Sequence, residues 1–373
     1  MLSTPAWLQE DEETPLQRLA RLPLAGLAAL YGAAAWAHRA WYERGPGHPL
    51  RLPCKVVSVG SLVVGGSGKT PTAAWLAAAL RGRGHRVALA SRGYGRRGRA
   101  AVEVVSDGRF VRGRAETSGD EPMLLAAHAP GVPVLVGARR DTLAYRAVDA
   151  FGTQVLVLDD GFQHHRVHRD VDLLVFAADF GLGNRCVLPR GPLREPLSAL
   201  RRAHAIGLVD GSLPAAQEAW LAARAPRARR FSVIRRPARL RPLAGGAEVP
   251  LETLRGRSVG MLCGIARPRS FRQVLLQLGA TLVAERLFPD HHVFRPRDVR
   301  DLASQAGLWI TTEKDAGKLL PSWLGGTAMQ VLGLETQVRD PEPLLDWLEG
   351  RLSLGGSAGR EAPRSAAPDR DAR

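Results

Sequence analysis

Gly65, Gly66, Ser67, Gly68, Lys69 and Thr70 follow one another, and Pro71 comes next. Glycines let successive backbone N–H groups converge on one anion with no Cβ in the way. Lys69 is placed to reach the outer phosphates of a bound triphosphate, and the Thr70 hydroxyl to hold Mg²⁺. The strict pattern G-x-x-x-x-G-K-[ST] has glycine at position 63, where this chain has Val63. The competing reading is a glycine-rich turn with no ligand. Context argues against it. The apolar run Lys55–Val59 reads as a strand, and Pro71 suits the first turn of a helix whose N-terminus faces the anion.

Further carboxylates and histidines extend this chemistry. Val155-Leu156-Val157-Leu158 is apolar and runs into Asp159-Asp160-Gly161. Adjacent carboxylates repel unless a cation lies between them, so the pair is a candidate Mg²⁺ site beside the loop. The plainer alternative is a turn cap before Gly161. Asp120, in Thr117-Ser-Gly-Asp-Glu-Pro122, opens a predicted helix and reads either as an N-cap or as a base toward a substrate hydroxyl. Asp290-His291-His292 reads either as structural or as catalytic.

These groups need a frame, and the apolar runs supply one. Strands are predicted at Lys55–Val59, Arg86–Ala90, Val132–Val136, Val155–Leu158, Val171–Phe176 and Ala205–Val209, with a helix at Pro71–Arg81. Runs that are apolar throughout suit strands buried on both faces. They predict an α/β fold: a P-loop NTPase-type, mostly parallel sheet with helices on both faces. A Pro-, Arg- and Gly-rich stretch at Arg235–Leu251 predicts a hinge. A second, smaller α/β domain follows, with strands at Arg257–Cys263, Ala280–Leu287 and Trp309–Thr311 and helices at Arg269–Leu278, Arg297–Gln305 and Pro343–Leu352. The expected organisation is an N-terminal segment 1–50, a core 51–235, a linker 236–255, a second domain 256–353 and a disordered polar tail 354–373.

Ahead of the core, Leu16 to about Arg44 reads as one helix, in which Leu22 to Ala37 is 16 residues without a charge. That length is about 24 Å, short of the ~30 Å hydrocarbon core of a bilayer. Trp36, Trp41, Tyr42 and flanking arginines are the anchors of a helix lying at the membrane interface. The alternative is an Ala-rich helix packed on the core. The formal charge of +16 suits anionic lipid surfaces and anionic substrates. Only four of the 52 basic residues are lysines, and no zinc finger or RNA-binding aromatic signature is present, so nucleic acid is not expected as a partner. The three cysteines are far apart, with no metal or disulfide spacing. Thr312-Glu313-Lys314-Asp315 is superficially like a guanine-reading motif, but its Lys and Asp are adjacent and the spacing fails.

Seven motifs stand in order: Val64–Pro71, Ser91-Arg-Gly-Tyr-Gly-Arg96, Thr117–Pro122, Leu158-Asp-Asp-Gly-Phe-Gln-His164, Leu188-Pro-Arg-Gly-Pro-Leu-Arg-Glu195, Phe288-Pro-Asp-His-His292 and Thr311-Thr-Glu-Lys-Asp315. Together they resemble the tetraacyldisaccharide 4′-kinases, the lipid A 4′-kinases of Gram-negative bacteria. The likeness runs from the N-terminal helix to about residue 350. It implies transfer of the γ-phosphoryl of ATP, with Mg²⁺, to the 4′-hydroxyl of a lipid A disaccharide precursor. It also implies an enzyme attached, peripherally or monotopically, to the cytoplasmic face of the inner membrane, and no obligatory protein partner is evident. By motif, Asp120 is the expected base and His291 its orienting partner, while Asp159 and Asp160 form the metal site. Arg194 is expected on the catalytic side and Gln163 at the metal, with His164 nearby. Ser61 departs from the family's usual Asn and leaves the loop's hydrogen bonding open; the missing first glycine is shared with the family.

Overall fold

The computed structural model describes residues 14, 19, 21–96, 98 and 100–354. The polar tails expected at either end, and the start of the first helix near Leu16, lie outside the described residues. The chain opens with helix α1 (Leu22–Glu43), then strand β1 (Lys55–Gly60) and helix α2 (Lys69–Gly82). Strands β2 (Val87–Ser91) and β3 (Glu103–Asp107), the short helix α3 (Ala115–Ser118), helix α4 (Asp120–His128) and strand β4 (Pro133–Val136) follow. Next come α5 (Arg140–Phe151), β5 (Val155–Asp159), β6 (Val171–Ala177), β7 (Ala205–Val209), α6 (Ala215–Arg224) and β8 (Arg229–Pro242). The remainder is β9 (Ser258–Cys263), α7 (Pro268–Gln277), β10 (Thr281–Leu287), β11 (Leu308–Thr312), α8 (Glu313–Ala316), β12 (Ala328–Val338) and α9 (Glu342–Leu352).

Among the described residues the strands form one sheet, in the order β10-β9-β11-β12-β8-β7-β6-β1-β5-β2-β4-β3. Its ladders are parallel except at β8–β12 and β3–β4. The predicted strands therefore pair as expected: β1 lies between β5 and β6, and all of β5 and β6 is buried. Helices α2, α4 and α9 cover one face of this part, closing a core that includes Val57, Leu76, Leu125, Val157 and Leu348. Leu143 and Ala147 of α5 pack on Val56 and Leu156 of the other face. The second part has its own pair of cores, one under α7 around Met261 and Leu275 and one around Trp309 and Phe294.

The junction between the two parts differs from the expected linker. Residues 236–242 are strand, not loop, and belong to β8. The first part of β8 pairs with β7 through Val233, and its far end pairs with β12. Ile234 to Pro237 and Leu334 to Gln337 pair only with one another, so the two parts meet at a two-stranded waist. Charge and proline in β8 hid this strand, because a narrow ribbon has little apolar surface to bury. The last helix, expected with the second domain, packs instead on the first: Leu344, Leu345, Leu348 and Leu352 share the core of α2 and β1. Arg83 at the end of α2 adds ion pairs to Glu342, Asp346 and Glu349.

The helix expected at Arg297–Gln305 is absent. Only a 3-10 turn forms at Pro296–Asp298. The Asp298 carboxylate accepts from the Arg295 N–H at 2.8 Å and pairs with His292 Nε2 at 3.0 Å. The Leu302 carbonyl accepts from the Trp309 indole at 2.9 Å.

Helix α1 packs on the core along one stripe and leaves large apolar side chains exposed. Its buried residues are Ala28, Gly32 and Arg39, which form one stripe against the core. A Cβ on Gly32 would lie 3.4 Å from Val187, and Arg39 donates to Ser198 Oγ at 3.4 Å. Leu22, Leu27, Leu30, Trp36 and Trp41 face outward, with Leu30 70% exposed. No helix among the described residues is long and apolar enough to cross a membrane.

Candidate active site

The glycine loop leaves β1 at Gly60, where any Cβ would come 2.6 Å from that of Phe162. Gly65 and Gly68 hold φ of 86° and 82°, the left-handed region that side chains strain to enter. Gly68 is the N-cap of α2, so the loop ends where the helix presents its free N–H groups. Val63 is not a gap in this design. It bridges to Leu193, and the Arg194 N–H donates to the Leu62 carbonyl at 2.7 Å. Ser61 Oγ accepts from the Val63 N–H at 3.1 Å, which answers the question left open by the sequence.

Two parallel neighbours bring the carboxylate pair beside this loop, since β5 lies next to β1. The pair divides sharply. Asp160, at a left-handed φ of 52°, accepts from Arg194 Nη1 at 2.8 and 2.7 Å and lies 3.8 Å from Lys69 Nζ. Burial opposes its charge, but Lys69 and Arg194 win and hold its carboxyl below the usual range. Asp159 is fully buried and accepts only from Thr70 Oγ1, at 3.1 and 3.3 Å. Burial first, then Glu121 and Asp160, push its carboxyl up to about 8. A buried carboxyl whose charge is opposed by burial and two neighbouring acids gains from a divalent cation; with the Thr70 hydroxyl oxygen beside it, it suits Mg²⁺, which takes one or two carboxylates and completes its shell with water and phosphate oxygens. Gln163 donates to the Ser61 carbonyl at 3.3 Å, and its own Oε1 is buried without a hydrogen-bond partner. Among the described residues no group of three or more His, Cys, Asp and Glu side chains forms a ready-made metal cage. The oxygen donors Thr70, Asp159 and Gln163 fit an ion that arrives with a nucleotide.

Across the cleft, Asp120 and His291 meet although 171 positions separate them. His291 Nδ1 lies 3.2 and 3.1 Å from the two Asp120 carboxylate oxygens. Asp120 is not the N-cap of α4, because Gly119 holds that place and Asp120 is the first helical residue. Burial opposes its ionisation, yet His291, Lys314 and Lys318 hold its carboxyl below the usual range. His291 sits at a φ of 60°, with the Tyr94 ring 5.1 Å away. Its neighbour His292 turns the other way, stacking on Phe288. One cavity of about 1040 Å³ connects these features. Gly65 to Pro71, Asp159, Asp160, Gln163 and Arg194 line one side, and Tyr94, Asp290, His291 and Lys314 the other.

Sequence reasoning missed several residues of this cavity. Arg140 is 3% exposed, and burial lowers its pKa to about 10 against the pull of Asp159 and Asp160. Tyr31 of α1 lines the cavity and donates to the Arg194 carbonyl at 3.0 Å. Lys314 and Lys318 were half visible: they are half of all the lysines in an arginine-rich chain.

Fold and cleft define an α/β phosphotransferase, with a glycine loop at the end of an interior strand of the sheet and a large cavity beside it. Relatives narrow this further. The family model described as Tetraacyldisaccharide-1-P 4′-kinase matches residues 20–353, and the chain belongs to that family of kinases. A tetraacyldisaccharide 4′-kinase of Anaeromyxobacter dehalogenans strain 2CP-1 is 43% identical over 363 residues, covering 94% of this chain and 96% of the relative. Another, from strain 2CP-C, is 46% identical over 317 residues, 83% of this chain and 84% of its own. The crystal structure of LpxK from Aquifex aeolicus in complex with ATP matches with a TM-score of 0.70 and 30% identity, covering 90% of this chain and 99% of that one.

Proposed function

We propose that this chain transfers the γ-phosphoryl group of ATP to the 4′-hydroxyl of tetraacyldisaccharide 1-phosphate, a lipid A precursor, at a membrane surface. The observation that carries the mechanism is the Asp120–His291 pair, assembled from two parts of the chain, with His291 lining the same cavity as the glycine loop. The loop Gly65–Thr70 acts as a phosphate loop: its N–H groups and the α2 N-terminus cradle the phosphates, and Lys69 reaches the transferring group. Thr70, Asp159 and Gln163 would hold Mg²⁺. When bound, the ion neutralises phosphate charge. Arg194 is already committed to Asp160 and lies where it can share that charge with the phosphates.

Asp120 accepts the proton of the 4′-hydroxyl, and His291 orients the carboxylate. A carboxylate held so acidic is a weak base, but phosphoryl transfer tolerates one. Its transition state is loose, and the hydroxyl becomes acidic only as its oxygen bonds to phosphorus. Placement therefore matters more than basicity. Motion at the two-stranded waist opens and closes the cleft, excluding water when the lipid sugar is in place.

The acceptor carries four acyl chains and stays in the bilayer, so the protein must come to it. The outward Leu22, Leu27, Leu30, Trp36 and Trp41 of α1 support a helix lying at the interface, with the basic surface drawn to anionic lipid. This reading places the protein peripherally on the cytoplasmic face of the inner membrane, without an obligatory protein partner. The deciding assay offers γ-labelled ATP with lipid A disaccharide 1-phosphate in mixed micelles. Label is expected in the lipid; label released only as free phosphate, unaffected by lipid, overturns the proposal.

A further inference from the structure

The Thr311–Asp315 motif is not absorbed by the chemistry above, yet it faces the acceptor side of the cleft. Its helix α8 lies against α4 of the first part. Glu313 pairs with His128 Nε2 at 2.9 Å, at the C-terminal end of α4. At the other end of α4, Lys314 and Lys318 lie 3.8 and 3.6 Å from Asp120 Oδ2. Asp315 anchors the motif: fully buried, it accepts from the Gly264 N–H at 2.8 Å and from Thr312 Oγ1 at 2.9 Å. The Lys314 ammonium is thus held on a fixed turn. It donates to Asp290 Oδ1 at 2.7 Å and faces His291 Nε2 at 3.4 Å.

We infer that Lys314 is a positioning residue, which holds His291 in the tautomer that donates from Nδ1 to Asp120. An ammonium only donates, so the ring nitrogen facing it must carry a lone pair. With Nε2 as acceptor, the ring proton of neutral His291 sits on Nδ1, and Nδ1 faces both Asp120 oxygens. Lys314 stays charged in this position, because Asp120 and Asp290 raise its pKa although burial opposes its charge. Asp290 shares the work, because its Oδ1 also accepts from the His291 backbone N–H at 3.0 Å, fixing the strained turn that aims the ring. The charged groups around Asp120 are His291, Lys314 and Lys318 from the second part and Glu121 from its own helix. Of these, Lys314 alone touches both Asp290 and the far nitrogen of His291.

The inference rests on Asp120 being the base, and the test separates the two. Histidine-labelled ¹⁵N spectra of the full chain, with the His291 signals assigned by a His291→Gln variant, report the tautomer directly. The wild type is expected to show His291 protonated on Nδ1 alone; a folded wild type protonated on Nε2 overturns the inference before any variant is made. Lys314→Met is expected to lose that single tautomer. It should also lower kcat by about 10- to 100-fold, by analogy with the loss when the partner that orients a metal-ligating imidazole is removed. The KM for ATP should stay unchanged. Lys314→Arg should restore the tautomer and part of kcat. An unchanged His291 spectrum in Lys314→Met overturns the inference, whatever happens to turnover. So does a rise in the KM for lipid at constant kcat, which assigns Lys314 to substrate binding. Asp120→Asn, measured alongside, tests the base: retained turnover there sinks the base reading while the spectra still judge Lys314.

Discussion

Asp120 and Asp159 are both buried carboxylates at one cleft, and their surroundings push them in opposite directions. Cations from the second part outweigh burial at Asp120, whereas at Asp159 burial, Glu121 and Asp160 outweigh Lys69 and the Thr70 hydroxyl. In the proposed mechanism the first accepts a proton from the sugar and the second would hold a cation. Asp120→Ala is therefore expected to lower kcat by about 10²- to 10⁴-fold, the range for a lost general base. Nucleotide affinity, measured by titration with a fluorescent ATP analogue, should hardly change. A large loss of ATP binding instead moves Asp120 to the metal site. Gly68→Ala tests the opposite wall. The new methyl lies 3.1 Å from Val209 and its backbone at a strained φ of 82°. We expect the KM for ATP to rise and the melting temperature to fall, since alanine at positive φ costs about 1 kcal/mol or more. A wild-type KM refutes the loop as the phosphate cradle.

At the scale of elements, α1 has two faces with two roles. Its small stripe at Ala28 and Gly32 packs on the core, while Tyr31 reaches the backbone of Arg194, a residue of the active site. Leu27 and Leu30 face away from the core, at 55% and 70% exposure. Replacing both with Ser removes about 1.5–3 kcal/mol of apolar burial per leucine from any membrane-bound state. Co-sedimentation with anionic vesicles should fall strongly while the melting temperature stays near that of the wild type. Unchanged sedimentation assigns membrane attachment elsewhere. The strand pair β8–β12 is the other element with a double role, because among the described strands it alone joins the two parts of the sheet and yet stiffens what the sequence presents as a linker.

For the whole molecule, buried histidines make the fold sensitive to acid. His165 is buried, and burial with Arg202 and Arg169 holds its pKa far below the ordinary 6.5; His204 is lowered too, mainly by burial. A lowered folded-state pKa means that the unfolded chain takes up these protons first. Stability from the neutral rings is present above about pH 6.5 and is lost as pH falls toward the folded-state values. Melting temperature is therefore expected to drop between about pH 7 and pH 5, and His165→Gln should flatten that slope. A variant as acid-sensitive as the wild type removes His165 from the explanation.

Much of this was legible in the chain itself. Strands buried on both faces must be apolar throughout, so β1, β5, β6 and β7 could be read almost to the residue, and the glycine loop and Asp159-Asp160 followed from where those strands end. Strands with exposed or charged positions along them, and helices with few large buried residues, carry no such signal; β3, β8, β12, α5 and α6 were missed for that reason. Four motif positions, Lys69, Asp120, Asp160 and His291, were visible as residue types, but sequence spacing carries no distance. Only the folded chain brings His291 to Asp120, commits Arg194 to Asp160, leaves Asp159 for a cation and sets two lysines against the acceptor side. Local patterns fix elements because backbone hydrogen bonding and burial act residue by residue. The site depends on how far-apart segments pack, and that is decided by the sheet order and the waist.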